Sequence, residues 1–247
     1  MKARFKKIMY QCKNLLGLKR KPTKTNQNKL DELHALVKSS ISDSLKLKLY
    51  EEFCSWPSIY YSKTTTLIKL LNPKLIVEVG VAYGYHARAM LETLENVEYI
   101  GIDPYLPNYD PNDPFTDNVA QLFNCKSVEG MDRLYETVNE TLTEEFGSRF
   151  TLKRLKSVIA STEMSNSIDL VFIDGDHRYQ AVYDDLRSWW PKIRPGGVLA
   201  GDDYEWPEVR SAVNSYFTQM GEKVLLLTDE DTNHHTYFVQ KSDDKNS

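Results

Sequence analysis

Four carboxylates lie at the ends of two apolar stretches of the sequence. Asp174 and Asp176 follow "LVFI", with His177 beside them, and Asp202 and Asp203 follow "GGVLAG". Asp174 and Asp202 are 28 residues apart, a spacing that one helix and one strand would fill. Both would then reach the same sheet edge if their strands are neighbours. Since converging carboxylates raise one another's pKa, we expect something to compensate their charge.

A bound divalent cation is one such compensation. Oxygen ligands favour hard ions such as Mg²⁺, Ca²⁺ or Mn²⁺ over zinc. An alternative without a metal stays open, because Asp174 or Asp202 could cap the N-terminus of a helix, and acidic loops after strands are common.

A second group of residues begins in "VEVGVAYGYHA", where a strand pattern leads through a turn into a helix. Gly80 and Gly84 lack Cβ atoms, which permits a sharp turn and the close approach of a ligand. Their G-x-x-x-G spacing lacks the second close glycine of a dinucleotide-binding loop, which disfavours a nicotinamide-dinucleotide dehydrogenase. Asp103 lies 23 residues after Gly80, where a carboxylate can accept both hydroxyls of a ribose. With Glu78 inside the apolar strand, these residues predict a nucleotide-like ligand.

Strand and helix patterns alternate along the chain and must position these residues. Apolar runs predict seven strands, at "KLIVEVG", "VEYIGID", "RFTLKRL", "SIDLVFID", "GGVLAGDD", "KVLLLT" and "HTYFVQ". Helical periodicity predicts helices over 30–56, 58–71 and about 84–95, and around 134–146, 182–190 and 209–217. Four prolines predict a loop over 104–115. The alternation predicts an α/β, doubly wound and mostly parallel sheet with ligands beyond the carboxyl ends of its strands.

Two pairs of side chains outside these groups carry simpler expectations. Trp189 and Trp190, on the helix predicted after Asp176, indicate packing in a core or an interface. His234 and His235, in the turn between the last two predicted strands, are expected to be solvated.

The quoted stretches, together with "GIDPY", resemble the class I S-adenosylmethionine-dependent methyltransferases. The segment "IDGDHRYQAVYDDLRSWWPKIRPGGVLAGDDY" is most similar to the branch with macrolide- and coumarin-sugar O-methyltransferases and cephalosporin-pathway methyltransferases. The resemblance covers roughly residues 60–240. It implies a Rossmann-like, seven-stranded sheet with a final antiparallel hairpin, preceded by N-terminal helices, and S-adenosyl-L-methionine as cofactor.

The resemblance also assigns roles to individual residues. Glu78, Gly80 and Gly84 would hold the methionine end of the cofactor, and Asp103 its ribose. The full set of expected cofactor contacts is Glu78, Gly80, Gly84, Asp103, Ser157 (near adenine) and Asp174. Ala82 stands where this loop usually has its middle glycine, which makes the glycine-rich loop thinner here.

By the same resemblance, Asp174, Asp202 and Asp203 would bind Mg²⁺ or another hard divalent cation. Such an ion can hold two adjacent hydroxyls and lower the pKa of the one that attacks, while a base removes its proton. Two bases stay open. Asp176 matches the proposed base of the sugar branch, and His177 lies where catechol-type relatives place a catalytic lysine.

The expected function is Mg²⁺-assisted O-methylation of a hydroxyl on a sugar or other small molecule. The alternatives are a metal-independent small-molecule methyltransferase, a nicotinamide-dinucleotide dehydrogenase and a non-catalytic cofactor-binding protein. The expected partner is a small-molecule acceptor, such as a sugar or a nucleotide-sugar. A homodimer is plausible on the amphipathic N-terminal segments.

The distribution of charge along the chain indicates its domain boundaries and limits its possible partners. Residues 1–29 contain 10 Lys or Arg and no acid, which leaves 21 basic and 35 acidic residues in the rest of the chain. That acidic body argues against a nucleic-acid surface. The basic amphipathic segment and linker (1–29) would precede a helical cap (30–60), a methyltransferase domain (61–241) and a polar tail (242–247).

Residues 1–25 are expected to pack on the domain or to be disordered, and the alternative is that they contact a membrane or a partner. Three scattered cysteines and the lack of a signal-peptide or membrane-spanning pattern predict a cytoplasmic protein.

Overall fold

The computed structural model describes residues 42–44, 46–48, 62–110, 113–229 and 234–242. The predicted basic segment (1–29), most of the cap (30–60) and all but the first residue of the polar tail lie outside these ranges, so those predictions stay predictions. Within the described ranges, residues 43–44 and 46–48 are helical. None of the described helices is both long and apolar enough to cross a membrane.

A seven-stranded sheet forms the centre of the molecule. Its strands are β1 (Leu75–Val79), β2 (Glu98–Ile102), β3 (Phe150–Lys153), β4 (Ile168–Ile173), β5 (Ile193–Gly201), β6 (Leu225–Asp229) and β7 (His234–Gln240). Their order is β3-β2-β1-β4-β5-β7-β6. The pairs among β1 to β5 are parallel, and β7 runs antiparallel to both β5 and β6. The predicted Rossmann-like sheet with a final antiparallel hairpin is therefore confirmed.

Seven helices surround the sheet in the described ranges. They are α1 (Ser62–Leu71), α2 (Tyr85–Thr93), α3 (Phe115–Leu122), α4 (Ser127–Phe146), α5 (Ser157–Thr162), α6 (Tyr179–Trp189) and α7 (Pro207–Met220), with short 3-10 turns at Gly147–Arg149 and Trp190–Lys192. The helices α3 and α5 were not predicted, because eight and six residues are too few for a clear helical period. The predicted loop of 104–115 ends where α3 begins.

Two hydrophobic cores lie on opposite faces of the sheet. Successive side chains of a strand point to opposite faces, so Leu170 and Phe172 of β4 enter one core while Val171 and Ile173 enter the other. The second core also contains the fully buried Trp189 and the buried Trp190, which confirms the expectation that these two residues pack in the interior. The central strands are thus buried on both sides and hold their carboxyl ends rigidly.

The carboxyl ends of β1, β4 and β5 lie side by side. Val79 pairs with Ile173, and Ile173 pairs with Gly201. Backbone bonds continue one residue further, since Asp174 N donates to Val79 O (2.7 Å) and Asp202 N donates to Ile173 O (3.1 Å). Strand order also reverses between β1 and β4, where ligands bind in sheets of this kind. The sheet therefore brings the Gly80 turn and the acidic residues to one edge.

Candidate functional site

The turn after β1 is in direct contact with the turn after β4. Gly80 has φ +88°, and a Cβ built on it would lie 1.9 Å from the carbonyl oxygen of Asp174 and 2.7 Å from Cα of Gly175. Glycine is therefore required at position 80 by the neighbouring backbone as well as by its own dihedral angle. We had attributed this glycine to the close approach of a ligand, and the structure adds this second reason.

Gly84 begins helix α2 and packs against helix α4. Its φ is +76°, and a Cβ there would lie 2.9 Å from Val138 Cγ1 and 3.0 Å from Leu142 Cδ1. The loop between the two glycines also contains Ala82 with φ 48°, a left-handed conformation that is uncommon outside glycine. The loop is held in this shape by its surroundings.

Asp103 binds the backbone of that loop. Its Oδ2 accepts hydrogen bonds from the amides of Val81 and Ala82, each at 3.0 Å, and its Oδ1 accepts one from Tyr105 N at 2.7 Å. Burial raises the pKa of Asp103, and these three hydrogen bonds oppose that rise. A carboxylate has about four lone-pair sites, so ribose hydroxyls can still donate to it.

Glu78 is a buried acid in the middle of the sheet. Only 1% of its surface is exposed, and Oε1 lies 2.7 Å from His86 Nδ1. Its Oε2 is buried and accepts no hydrogen bond from any described residue. A buried acceptor without a donor is unfavourable by roughly 1–3 kcal/mol, so this oxygen suits a donor supplied by a ligand.

Ser157, which we expected near adenine, uses its side chain within the protein. Its hydroxyl accepts a hydrogen bond from Trp189 Nε1 (2.8 Å) and also interacts with Asp185. The next two residues, Val158 and Ile159, are apolar and exposed. A flat apolar ligand could lie on those two side chains, and the contact of Ser157 with adenine stays a prediction.

At the other side of the edge, Asp174, His177 and Asp203 converge. The Nε2 atom of His177 lies 2.8 Å from Asp203 Oδ2 and 3.9 Å from Asp174 Oδ1. One donor atom from each of the three residues falls within 4.8 Å of the other two. Asp203 has φ 55°, a strained conformation for a residue with a side chain, and such strain often accompanies function.

The charges of this trio compensate one another. Burial lowers the pKa of His177, but its contacts with Asp174 and Asp203 outweigh burial and raise the pKa to about 11. Burial and the nearby Asp202 and Asp203 raise the pKa of Asp174, although the His177 contact opposes this. The sequence suggested a bound cation as the compensation, and the protein also supplies an imidazole.

Asp202 lies next to this trio but binds strand β7. Its Oδ1 lies 2.6 Å from His234 Nε2 and accepts a hydrogen bond from Thr236 Oγ1 at 3.1 Å. His234 Nδ1 is also 3.0 Å from Glu205 Oε1. Burial lowers the pKa of His234, but these two acids outweigh it and raise the pKa to about 11.

The expectation that His234 lies solvated in a turn is therefore wrong, because His234 belongs to β7 and only 7% of it is exposed. Thr236 and His234 alternate along β7 and point at the same acid, so the strand period is the sequence signal for this contact. Glu205, which contacts His234, is a further residue at this edge that the sequence analysis did not identify.

Asp176, one of the two expected bases, forms an ion pair with Arg178. The guanidinium Nε lies 2.9 Å from Oδ1 of Asp176 and 3.0 Å from Oδ2, with a further close contact from Nη2. Partial burial raises the pKa of Asp176, but the hydrogen bonds and charge of Arg178 hold it below its usual range. Asp176 is therefore ionised at neutral pH.

Trp206 completes the rim beside the trio. Its ring centre lies 4.8 Å from that of His177, and 42% of the residue is exposed. An exposed indole next to a reactive group commonly forms the wall of a ligand site. The sequence placed Trp206 directly after "GDDYE" but offered no pattern that marked it as functional.

The sheet order, the hairpin and the turns after β1, β2 and β4 define a Rossmann-like methyltransferase fold of class I. Residues 77–204, just over half of the chain, match the family described as a methyltransferase domain. The chain belongs to this methyltransferase family. The matched segment contains both the Gly80 turn and the Asp174–His177–Asp203 trio.

Among curated proteins, the uncharacterized protein R132 of Acanthamoeba polyphaga mimivirus is 44% identical over 55 residues. That match covers 21% of this chain and 25% of the viral protein, so the chain spans about a quarter of this relative's length.

Several solved structures share the fold. A putative caffeoyl-CoA O-methyltransferase from Staphylococcus aureus superposes with a TM-score of 0.54 at 16% identity, over 87% of this chain and 99% of that one. A methyltransferase from Geobacter sulfurreducens gives 0.54 at 15% identity, over 86% and 95% of the two chains. A SAH-bound methyltransferase from Podospora anserina gives 0.51 at 14% identity, over 98% and 96%. At these identities the likeness concerns the fold, and the resemblance to the macrolide and cephalosporin branch stays a prediction.

Proposed function

We propose that this protein is an S-adenosylmethionine-dependent O-methyltransferase that methylates a hydroxyl of a small molecule such as a sugar, assisted by a divalent cation. The observation that carries the proposal is the contact between Gly80 and the Asp174 backbone. It sets the expected donor turn directly beside the acidic trio. Donor and acceptor sites must adjoin in this way, because methyl transfer needs the sulfonium methyl in line with the attacking oxygen.

The residues expected to bind the cofactor favour S-adenosylmethionine over a dinucleotide. Glu78 Oε2 is buried and accepts no hydrogen bond from the described residues, so it suits the ammonium group at the methionine end of the cofactor. Asp103 is fixed by three backbone amides at the place where a ribose would lie. The SAH-bound state of the Podospora anserina structure with the same fold agrees with this choice.

The acidic side fits a divalent cation. Potential ligand atoms of Asp174, His177 and Asp203 lie within 4.8 Å of one another. Asp203 Oδ1 is buried, and no described residue donates a hydrogen bond to it. A cation bound there would draw the acceptor oxygens together and lower the pKa of the attacking hydroxyl.

Proton removal is assigned to Asp176. His177 already faces two carboxylates, whereas Asp176 is ionised and partly exposed beside them. S-adenosylmethionine, held by Glu78 and Asp103, would supply its methyl group to the acceptor oxygen as the carbon–sulfur bond breaks, and S-adenosylhomocysteine would leave. The hydroxyl proton passes to the Asp176 carboxylate and then to water. Arg178 keeps Asp176 oriented throughout.

A metal-independent methyltransferase is the second candidate, and one observation favours it. His177 and His234 already neutralise Asp203 and Asp202, so the folded protein can hold these acids without a cation. Turnover that persists in excess EDTA is the signature of this candidate.

The test begins with binding. Calorimetry should show S-adenosylmethionine binding and no NAD binding, and the opposite result would overturn the proposal. Transfer of a labelled methyl group would then be followed over sugars, nucleotide-sugars and catechols, with Mg²⁺, Mn²⁺ or EDTA. Asp103→Asn tests the cofactor site separately, because it should weaken S-adenosylmethionine binding whatever the acceptor is.

A further inference from the structure

We infer that His177 is itself a metal ligand, so the site is a mixed nitrogen–oxygen site that prefers a first-row transition ion, such as Mn²⁺, Fe²⁺ or Co²⁺, to Mg²⁺. The inference rests on the proposed function and replaces the predicted ligand set. The sequence predicted Asp174, Asp202 and Asp203, whereas the geometry points to Asp174, His177 and Asp203.

The ring of His177 is placed as a ligand would be. Its Nε2 is buried and lies 2.8 Å from Asp203 Oδ2, within the distance of an ion pair. The same nitrogen also faces Asp174 Oδ1 at 3.9 Å. Ligand atoms with bonds of roughly 2.0–2.2 Å stand about 3 to 4 Å apart around a metal ion. The separation of 3.9 Å lies within that range, and the separation of 2.8 Å lies just below it.

Asp203 independently points to a ligand in the gap. The residue is 93% buried, and its Oδ1 accepts no hydrogen bond from any described residue. A buried carboxylate oxygen without a partner is unfavourable, and a cation would satisfy it. Burial and the oxygen without a hydrogen-bond donor together mark Asp203 as a group held for a ligand.

Asp202 binds strand β7, on the side of β5 away from β4. Its Oδ1 lies between His234 Nε2 and Thr236 Oγ1, both from β7. Asp202 belongs to neither of the two groups of potential metal ligands in the described part of the chain, which are Asp174–His177–Asp203 and Asp203–Glu205–His234. Its place is therefore structural, since it ties the end of β5 to β7 and fixes the backbone that carries Asp203.

The types of the ligand atoms determine which metal ion the site prefers. Carboxylate oxygens suit Mg²⁺, Ca²⁺ and Mn²⁺, whereas imidazole suits Fe²⁺, Co²⁺, Ni²⁺ and Zn²⁺. Mg²⁺ also keeps most of its water and rarely takes a nitrogen ligand. Two carboxylates with one imidazole therefore favour transition ions that accept both donor types.

The experiment uses Mn²⁺ as the probe on the full chain. Electron spin echo envelope modulation detects nitrogen bonded to Mn²⁺, and it would be recorded for the wild type, His177→Asn and His234→Asn. His234→Asn is the matched control, since that histidine also touches a carboxylate at this edge. Mn²⁺ and Mg²⁺ affinities would be measured in parallel, together with S-adenosylmethionine binding and circular dichroism.

We expect nitrogen modulation in the wild type and in His234→Asn, and its loss in His177→Asn together with at least a roughly tenfold weaker Mn²⁺ affinity. His177→Asp restores an oxygen ligand, so it should bind Mn²⁺ without nitrogen modulation and with a smaller preference over Mg²⁺. Modulation that survives in His177→Asn, or that disappears only in His234→Asn, would overturn the assignment.

The failure of this inference can be told apart from the failure of the proposed function. Wild-type protein that binds Mn²⁺ without nitrogen modulation overturns His177 as a ligand and leaves the cation proposal standing. Wild-type protein that binds no Mn²⁺ overturns both the ligand and the cation. S-adenosylmethionine binding in the same samples then shows whether the methyltransferase proposal survives.

Discussion

Gly80 and Asp174 touch through their backbones, although 94 residues separate them in the sequence. A Cβ at Gly80 would lie 1.9 Å from the Asp174 carbonyl oxygen, and Asp174 N donates to Val79 O at 2.7 Å. The expected donor turn and the acidic trio are therefore two parts of one rigid edge. A substitution in the Gly80 turn should therefore alter the acidic trio, and a substitution in the trio should alter the turn.

Gly80→Ala tests this contact. The new methyl group would collide with the Asp174 backbone, so we expect a large loss of stability and of S-adenosylmethionine binding. The cost should exceed the roughly 1–2 kcal/mol of a left-handed conformation alone. Urea unfolding and calorimetry would measure the two effects.

The matched control is Gly221→Ala. Gly221 also has a positive φ (+69°), but a Cβ there meets no atom within 4 Å. It should show the backbone cost without the collision and keep normal cofactor binding. Equal effects of the two substitutions would contradict the importance of the contact.

Asp103→Asn should weaken S-adenosylmethionine binding. The variant keeps a single acceptor oxygen, so it cannot serve the amides of Val81, Ala82 and Tyr105 and a ribose together. Loss of charge-assisted hydrogen bonds worth about 1.5–3 kcal/mol predicts an affinity roughly 10- to 100-fold lower. Calorimetry measures it, and an unchanged dissociation constant would remove Asp103 from the cofactor site.

Asp203→Asn should separate metal binding from donor binding. The substitution removes one charge from the trio, so the affinity for Mn²⁺ should fall by at least about tenfold while S-adenosylmethionine still binds. Asp184→Asn, on α6 and paired with Arg187, serves as the control and should change neither affinity. A wild-type Mn²⁺ affinity in Asp203→Asn would exclude Asp203 as a ligand.

Asp185 gives a pH dependence that involves no ligand. Burial raises its pKa from 3.8 to about 7, although a hydrogen bond with Ser157 opposes the rise. The folded protein therefore holds a proton that the unfolded chain releases between these values, and the free energy of unfolding falls as pH rises through this window. At about 1.4 kcal/mol per pKa unit, the loss approaches about 4 kcal/mol above pH 7.

Asp185→Asn should abolish this loss, because the amide cannot ionise. Urea unfolding at several pH values should show that the free energy of unfolding of the variant rises relative to that of the wild type from about pH 4 to above pH 7. Asp184→Asn, its partly exposed neighbour, should keep most of the wild-type pH dependence, since the charge of Asp184 is the smallest of the causes that raise the pKa of Asp185. Parallel curves for Asp185→Asn and the wild type would show that Asp185 titrates normally.

The sheet was predictable because its strands are short apolar runs bounded by glycine, proline and acidic residues. The edge that gathers Gly80, Asp103, Asp174 and Asp202 followed from the rule that ligands bind at the carboxyl ends of parallel strands. Helices α3 and α5 were not predicted, because they are too short to show a helical period in the sequence. Their presence depends on packing, which buries Val119 and Leu122 of α3.

Side-chain partners at the site were less predictable. Sequence spacing places Asp202 and Asp174 on adjacent strands, but it does not show that Asp202 turns toward His234, which lies 32 residues later on the antiparallel hairpin. The pairing of β5 with β7 is a tertiary relationship, so a pattern within one segment cannot reveal it. The same reason explains why His234 was expected in solvent.

The central claim is that a bound sulfonium donor lies beside the Asp174–His177–Asp203 trio. Nuclear magnetic resonance of S-adenosylmethionine with an isotopically labelled methyl group, bound to the protein together with Mn²⁺ or diamagnetic Mg²⁺, tests it most directly. Paramagnetic broadening falls steeply with distance, so we predict that Mn²⁺ strongly broadens the methyl signal and that Asp203→Asn removes the effect. A methyl signal that stays sharp while both the donor and Mn²⁺ are bound would contradict the account.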